Sequence, residues 1–93
     1  MAIVSFRSKA LRLFFTKGDS TKLSPHHVSR IKAILSVLNV ALSIDEIRAF
    51  DRYFHGLQPP GSNTFSMRVS GNYRITFRYE DGQVYDVDYL DYH

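Results

Sequence analysis

Cysteine is absent from this 93-residue sequence, which excludes a disulfide scaffold and any metal site that depends on thiolates. Long apolar runs are absent as well, since none approaches the roughly 18 to 20 residues that a membrane span requires. The N-terminus does not show the pattern of a signal peptide. We therefore expect one small domain over residues 1–93, with no membrane association and a cytoplasmic location.

Acidic residues are scarce before residue 80. Residues 1–79 hold all 12 lysines and arginines and only 4 acids, a formal charge of +8, whereas the last 14 residues hold 5 acids and no lysine or arginine. A basic body suits a polyanionic partner such as RNA, because binding releases counterions from the phosphates. Ordinary solubility charge gives the same numbers, so net charge alone does not decide between the two.

The start of the chain predicts a strand followed by a short helix. Residues 3–7 alternate apolar and polar side chains, which is the period of a strand with one buried face. Residues 8–17 carry apolar side chains at helical spacing, and Gly18 is a typical stop signal.

The longest helix is predicted to begin at Ser24, whose hydroxyl can cap free amides, with a proline in the first helical position. Apolar side chains recur at helical spacing from Val28 to Leu42 and predict a face that packs on a sheet. Residues 43–46, Ser-Ile-Asp-Glu, form a capping box, so a further short helix is expected to end near Asp51.

The last third of the chain predicts an antiparallel meander. Residues 64–69, 73–79 and 85–89 each alternate apolar and polar side chains, and short polar connections separate them. Residues 52–57, just upstream, fit either a helix or a strand.

The register of the meander follows from keeping its apolar residues on one face. A three-residue loop at residues 70–72 pairs Val69 with Tyr73. A three-residue loop at residues 80–82, with glycine in the left-handed position, pairs Phe77 with Tyr85.

On the polar face this register sets Arg68 opposite Arg74, Arg74 opposite Asp88, and Thr76 opposite Asp86. Like charges directly opposite each other destabilise a sheet, so this arginine pair needs a counter-charge. One interpretation is a surface ion pair between Arg74 and Asp88, of a kind that contributes little. The other is a phosphate site held by guanidinium groups. The alternation leaves both open.

The chain closes on Asp91-Tyr92-His93, three side chains that can hold or move protons, directly after the last predicted strand. A structural interpretation stands beside this one, because a C-terminal histidine is usually a surface residue and a strand tyrosine is often half-buried. We expect His26 and His27, in the first turn of the long helix, to be solvated and without a catalytic role.

Three segments together resemble a known family. They are His55-x-Leu57, the run Asn72-Tyr73-Arg74-Ile75-Thr76-Phe77, and Tyr89-x-Asp91-Tyr92-His93 at the end. They resemble the HigB-type toxins of bacterial toxin-antitoxin pairs, within the RelE-like superfamily of ribosome-dependent messenger RNA endonucleases. The resemblance implies an α+β fold, with an N-terminal strand and two to three helices packed on one face of a small antiparallel sheet whose open face holds RNA.

The resemblance also implies a set of site residues. Five positions match the family's catalytic set: His55, Arg74, Asp91, Tyr92 and His93. Similar toxins often carry a lysine at the position of Gln58, and Arg68 is the candidate substitute for that charge. We expect Arg68 and Arg78 to bind RNA phosphates.

The reaction that the resemblance implies is attack of a ribose 2′-hydroxyl on the adjacent phosphate, without a metal or cofactor. His55 and His93 are the expected base and acid, in an order that the sequence leaves open. Asp91 is expected to orient a histidine, Tyr92 to stack on a base or donate a hydrogen bond, and Arg74 to hold the phosphate.

The partners implied by the resemblance are a HigA-like antitoxin with a helix-turn-helix domain, and the ribosome with its messenger RNA. By itself the protein is expected to bind no particular DNA sequence.

Two other functions remain open from the residues alone. His55, Asp91 and His93 are two histidines and a carboxylate, which is a ligand set for iron or zinc. A basic surface without catalytic residues would instead be a non-catalytic module that binds RNA or a partner.

Overall fold

A computed structural model describes residues 1–92 of the chain, and within that range it has three helices and four strands. They are α1 (Lys9–Lys17), α2 (Val28–Val40), α3 (Ile44–Phe50), β1 (His55–Gly56), β2 (Thr64–Ser70), β3 (Tyr73–Glu80) and β4 (Gln83–Asp91). The strands form one antiparallel sheet in the order β1-β2-β3-β4. The helices cover one face of it, which confirms the predicted α+β class.

Helices α1 and α3 begin where the sequence predicts. The Oγ atom of Ser8 accepts a hydrogen bond from the Leu11 amide at 3.2 Å, and Gly18 ends α1 with a left-handed φ of 70°. The Oγ atom of Ser43 accepts from the Glu46 amide at 3.4 Å. Each contact satisfies an amide that has no partner inside the helix.

Helix α2 begins later than the prediction at Ser24. Residues 25–27 form a turn in which the His27 amide donates to the Ser24 carbonyl at 2.9 Å, and the helix starts at Val28. At the other end, extended backbone at Ala41 stops the helix, so Leu42 leaves the apolar face and is 84% exposed. The prediction that Leu42 packs on the sheet is therefore wrong.

The first hairpin has the predicted pairing of Arg68 with Arg74, but its turn and its strand differ from the prediction. Ser70 pairs with Tyr73 across a two-residue turn, and Val69 is an extra residue in β2. The predicted three-residue loop, with Val69 opposite Tyr73, is wrong. A β-bulge explains the difference, because one inserted residue restores the face that the shorter turn would reverse.

The second hairpin also has a two-residue turn in place of the predicted three-residue loop. Glu80 pairs with Gln83, and the turn residues Asp81 and Gly82 have φ values of 51° and 77°. Positive φ at both central positions is the turn geometry that matches the twist of a hairpin. Asp86, with a φ of 56°, begins a bulge that shifts the register beyond it.

This bulge changes the partners on the polar face. Arg74 lies opposite Leu90, and Thr76 lies opposite Asp88. The predicted pairings of Arg74 with Asp88, of Thr76 with Asp86 and of Phe77 with Tyr85 are therefore wrong. Tyr85 lies opposite Arg78, on the polar face. The cause is the shorter turn together with the inserted residue in β4, which a strictly alternating pattern does not reveal.

The N-terminal segment follows the outer edge of β4 and does not form the continuous strand predicted over residues 3–7. Two isolated parallel bridges join it to β4, at Ile3 and at Phe6. Between them the Asp86 amide, displaced by the bulge, donates to the Ser5 hydroxyl at 2.9 Å. A side chain therefore replaces one rung of the ladder and covers the strand edge.

The core lies between the helices and the inner face of the sheet. Its fully buried side chains are Leu11, Ile31, Ile34, Leu38, Ile47, Met67, Ile75, Phe77, Val84 and Val87. Each large apolar side chain buried in this way contributes about 1.5–3 kcal/mol. Within residues 1–92, no helix is long and apolar enough to cross a membrane.

Candidate functional site

The outer face of the sheet is free of helices and carries polar side chains in rows across the strands. One row runs from His55 on β1 through Ser66 and Thr76 to Asp88 on β4. Residues paired across antiparallel strands share a face, so these four side chains lie on the open side. The Ser66 hydroxyl in this row is buried and has no hydrogen-bond partner within residues 1–92.

The next row contains the arginine pair. Arg68 lies opposite Arg74, and Leu90 completes the row on β4. The Arg74 Nη1 atom donates to the Gly71 carbonyl at 2.6 Å and to the Tyr73 carbonyl at 3.0 Å. These bonds to its own turn neutralise no charge.

Arg68 is held by a buried carboxylate at the edge of β2. Asp51, only 3% exposed, accepts from the backbone amides of Arg68 at 3.1 Å and Tyr53 at 2.9 Å. Arg30 of α2 pairs with the same carboxylate at 3.4 Å and donates to the Arg68 carbonyl. The bulged end of β2 is therefore fixed to two helices by hydrogen bonds to charged groups.

Tyr53 lies exposed between two guanidinium groups. The guanidinium carbons of Arg52 and Arg68 are 5.1 and 4.7 Å from its ring centre. A hydrogen bond from Arg52 to the phenol oxygen, followed by the positive charges of Arg52 and Arg68, lowers the pKa of Tyr53. This arrangement concentrates positive charge beside the Arg68–Arg74 row.

A cleft of about 350 Å³ opens on the same face, over the β3–β4 end of the His55 row, where Thr76 and Asp88 line it. Its polar lining comprises Arg7, Gln58, Thr64, Thr76, Arg78, Asp86, Asp88 and Tyr92. Two of the predicted site residues, Arg78 and Tyr92, therefore share this cleft.

Arg78 is already paired with carboxylates. Its Nε atom donates to Asp86 at 3.3 Å, and its Nη1 atom contacts Glu80. Its guanidinium carbon also lies 4.7 Å from the centre of the Tyr85 ring. A phosphate at Arg78 would have to compete with these partners, which weakens its predicted role.

His55 is exposed on the edge strand β1. Its Nδ1 atom lies 2.9 Å from the Tyr53 carbonyl oxygen. Because a carbonyl oxygen only accepts hydrogen bonds, this contact assigns the proton to Nδ1. The Nε2 atom is then the one available to exchange a proton with a ligand.

Asp91 and Tyr92 lie on opposite sides of the sheet. Tyr92 lines the open cleft, whereas Asp91 pairs with Tyr73 and lines a cavity of about 330 Å³ on the helix side, together with His27. Burial, then the phenol of Tyr73 and the carboxylate of Asp91, raises the pKa of Tyr89, which lies on this helix side.

His27 is not the solvated residue that the sequence predicts. It is 8% exposed, its Nδ1 atom is 2.5 Å from the Tyr89 hydroxyl, and its ring centre is 4.6 Å from that of Tyr73. His26 is exposed, as predicted. The imidazole of His27 is used in packing, which explains why it does not cap α2.

The structure therefore brings some predicted residues together and separates others. Arg68 with Arg74, and Arg78 with Tyr92, share the open face. His55 and Asp91 lie on opposite faces and opposite edges of the sheet, and three strand spacings alone put at least about 14 Å between them. These two cannot bind one metal ion, which removes the predicted two-histidine and carboxylate site. His93 lies outside the described residues.

Sequence reasoning missed four polar residues of the open face. Arg7 enters the cleft because the N-terminal segment follows β4, and its alternation with apolar neighbours is the only sequence signal for this. Asp88 was assigned to the wrong partner. Arg52 and Tyr53 lie in the segment where helix and strand patterns overlap, so their positions had no clear signal.

Comparisons with known proteins are consistent with this fold. Residues 4–93 match the family described as the RelE-like toxin of type II toxin-antitoxin system HigB. The chain is 34% identical over 91 residues to Endoribonuclease HigB of Proteus vulgaris, covering 98% of this chain and 99% of that protein. It is 28% identical over 90 residues to an uncharacterized protein of Haemophilus influenzae, covering 95% and 88%. The chain therefore belongs to the HigB-like family of RelE-like toxins, whose type II systems pair each toxin with an antitoxin.

Proposed function

We propose that the protein is an endoribonuclease that cuts messenger RNA on the ribosome, with RNA bound across the open face of the sheet. The observation that carries this proposal is the Arg68–Arg74 pair. Register sets the two guanidinium-bearing residues opposite each other, and neither forms an ion pair within residues 1–92. Like charges in this arrangement favour an anionic ligand such as a phosphate. The similarity to a protein named Endoribonuclease HigB supports the same reaction.

The proposed reaction is in-line attack of a ribose 2′-hydroxyl on the adjacent phosphorus. The P–O bond to the 5′-oxygen breaks, which leaves a 2′,3′-cyclic phosphate and a free 5′-hydroxyl. A base removes the 2′-proton and an acid protonates the departing oxygen, so neither a metal nor a cofactor is required.

His55 and His93 are the proposed base and acid. The Nε2 atom of His55 is free to accept a proton, because Nδ1 is bound to the Tyr53 carbonyl. Arg74 stabilises the charge that develops on the phosphate, with Arg68 beside it. Tyr92 stacks on a base or donates a hydrogen bond. Asp91 is the proposed positioning residue for His93, since it lies on the opposite face of the sheet from His55.

Arg78 keeps a secondary role in RNA binding, because Asp86 and Glu80 already offset its charge. The proposed antitoxin is a HigA-like protein with a helix-turn-helix domain, and the toxin alone binds no particular DNA sequence. The proposed site of action is the cytoplasm, where the ribosome and its messages are found.

The test is primer extension on a defined message translated in a cell-free system. It compares the intact chain with a chain ending at Asp91, and Arg12→Ala, at an exposed position of α1, serves as a control. We expect cuts in the translated frame with the intact chain and the control, and none with the shortened chain. Cuts of equal strength from the shortened chain would reject roles for Tyr92 and His93.

A second function is favoured by one observation. Arg78 is offset by carboxylates and Gln58 is uncharged, so the cleft has little net charge for phosphate binding. A non-catalytic module would bind ribosomes or RNA through Arg68 and Arg74 without cutting. Ribosome sedimentation with the protein, in the absence of any cut, would support this alternative.

Cuts that persist in chelator would separately argue against metal-dependent hydrolysis.

A further inference from the structure

The cleft beside the arginine row differs from a phosphate site in its charge. Its lining holds two arginines, Arg7 and Arg78, and two carboxylates, Asp86 and Asp88. A site for phosphate is expected to carry an excess of positive charge. The positive charge of the open face lies instead in the neighbouring Arg68–Arg74 row. The cleft is therefore suited to a neutral part of a nucleotide.

Within the cleft, one carboxylate is committed and one is available. Asp86 is paired with Arg78 at 3.3 Å. Asp88 is half-buried, lies opposite Thr76, and accepts from the Tyr89 amide through Oδ1 at 2.9 Å. This bond fixes the carboxylate and leaves Oδ2 as its acceptor for a ligand.

The walls of the cleft suit a flat ring. Leu57 and Leu90 supply apolar surface, and the 44% exposed ring of Tyr92 supplies an aromatic plane. Single-stranded RNA is commonly read by stacking an unpaired base on an aromatic ring and bonding its edge. The volume of about 350 Å³ is within the range of small-molecule sites.

We propose that this cleft is a base-recognition pocket in which Asp88 accepts a hydrogen bond from the amino group of an unpaired nucleobase stacked on Tyr92. Adenine, cytosine and guanine carry such a group, whereas uracil presents a carbonyl oxygen at the position where cytosine has its amine. The carboxylate then selects against uracil. This inference rests on the proposed function only in taking RNA as the ligand, and it assigns a specificity that the proposed reaction does not require.

Cytosine and uracil give the sharpest test, because they differ only in the amino or carbonyl group and the adjacent ring proton. The measurement is fluorescence anisotropy with labelled hexamers of cytidylate and of uridylate. We expect the intact protein to bind the cytidylate hexamer about tenfold more tightly. Asp88→Asn adds a donor and should bring the affinity ratio close to one.

Two further variants separate base selection from general binding. Tyr92→Ala should weaken both hexamers by about tenfold, since stacking does not distinguish them. Asp45→Asn, on exposed α3, should leave both affinities unchanged. Equal affinity of the intact protein for the two hexamers, or an unchanged ratio in Asp88→Asn, would overturn the pocket.

The same variants in the translation assay distinguish this inference from the proposed function. A protein that makes no cuts but keeps the tenfold ratio would contradict the endoribonuclease and retain the pocket. Cuts made by the intact protein without a binding preference between the hexamers would contradict the pocket and leave the proposed endoribonuclease intact.

Discussion

The two faces of the sheet contrast sharply. On the inner face Met67, Ile75 and Val87 are fully buried against the helices. On the outer face the same strands present Arg68, Thr76 and other polar side chains without a covering layer. Alternate residues of one strand therefore build the core on one side and the proposed RNA-binding surface on the other.

This difference predicts that neighbouring residues separate stability from activity. Inner-face substitutions should unfold the protein, and outer-face substitutions should change RNA cutting or binding in a folded protein.

Ile75→Ala should lower the free energy of unfolding by about 2–5 kcal/mol, because it leaves a cavity in the core. The matched control is Thr76→Ala, the next residue on the outer face, with an expected loss under about 1 kcal/mol. Urea denaturation measures both. Similar losses at the two positions would mean that the faces do not divide as described.

Arg74→Ala should reduce cutting by about 10²–10³-fold, since it removes charge stabilisation from the proposed phosphate site. Its stability should change little, because its hydrogen bonds are to exposed turn carbonyls. Primer extension in a translation system and thermal unfolding report the two effects. Normal cutting by a folded variant would reject the phosphate role.

Tyr89→Phe should lower the free energy of unfolding by about 1 kcal/mol, because the hydrogen bond to His27 is lost. It should also change the response to alkaline pH. Because the pKa of Tyr89 is raised in the folded protein, its contribution to the free energy of unfolding is complete below the ordinary pKa of 10.0. That contribution is lost as pH rises through the folded-state pKa. Urea denaturation across alkaline pH should show a flatter decline in the variant, and parallel curves would contradict this.

Tyr53 should give the smallest effect, visible only in a titration. Its lowered pKa predicts that it ionises before an ordinary tyrosine in an ultraviolet absorbance titration. The stability gained from the lowered pKa of Tyr53 is present above the ordinary pKa of tyrosine and is lost as pH falls through the folded-state pKa. Arg52→Gln should raise the pKa of Tyr53. Tyr53→Phe serves as the control, because it shows which part of the absorbance change comes from Tyr53. An unchanged titration in Arg52→Gln would show that Arg52 does not lower the pKa of Tyr53.

Much of the fold could be predicted because its signals are local. Gly18 and the capping box that begins at Ser43 act on backbone angles or amides within a few residues, so they predict the end of α1 and the start of α3 correctly. Ser24 failed because the chain before α2 is held by a contact across the fold, between His27 and Tyr89. A capping pattern contains no information about such a partner.

The candidate site was only partly predictable. The pairing of Arg68 with Arg74 follows from keeping apolar residues on one face. It is correct although the predicted loop length is wrong, because a two-residue turn plus one bulged residue gives the same register as a three-residue loop. Asp88 was misplaced because the bulge at Asp86 shifts the following residues of β4. Arg7 required knowledge of which strand edge the N-terminal segment follows.

Three features follow from the sequence alone: helices α1 and α3, the meander, and the arginine pair on the polar face. All three depend on periodicity and on contacts between near neighbours. The bulges, the cleft around Asp88 and the contact of His27 with Tyr89 became visible only in the folded structure. The physical reason is that one inserted residue reverses every later side chain in a strand. Whether a chain inserts it depends on packing against distant residues.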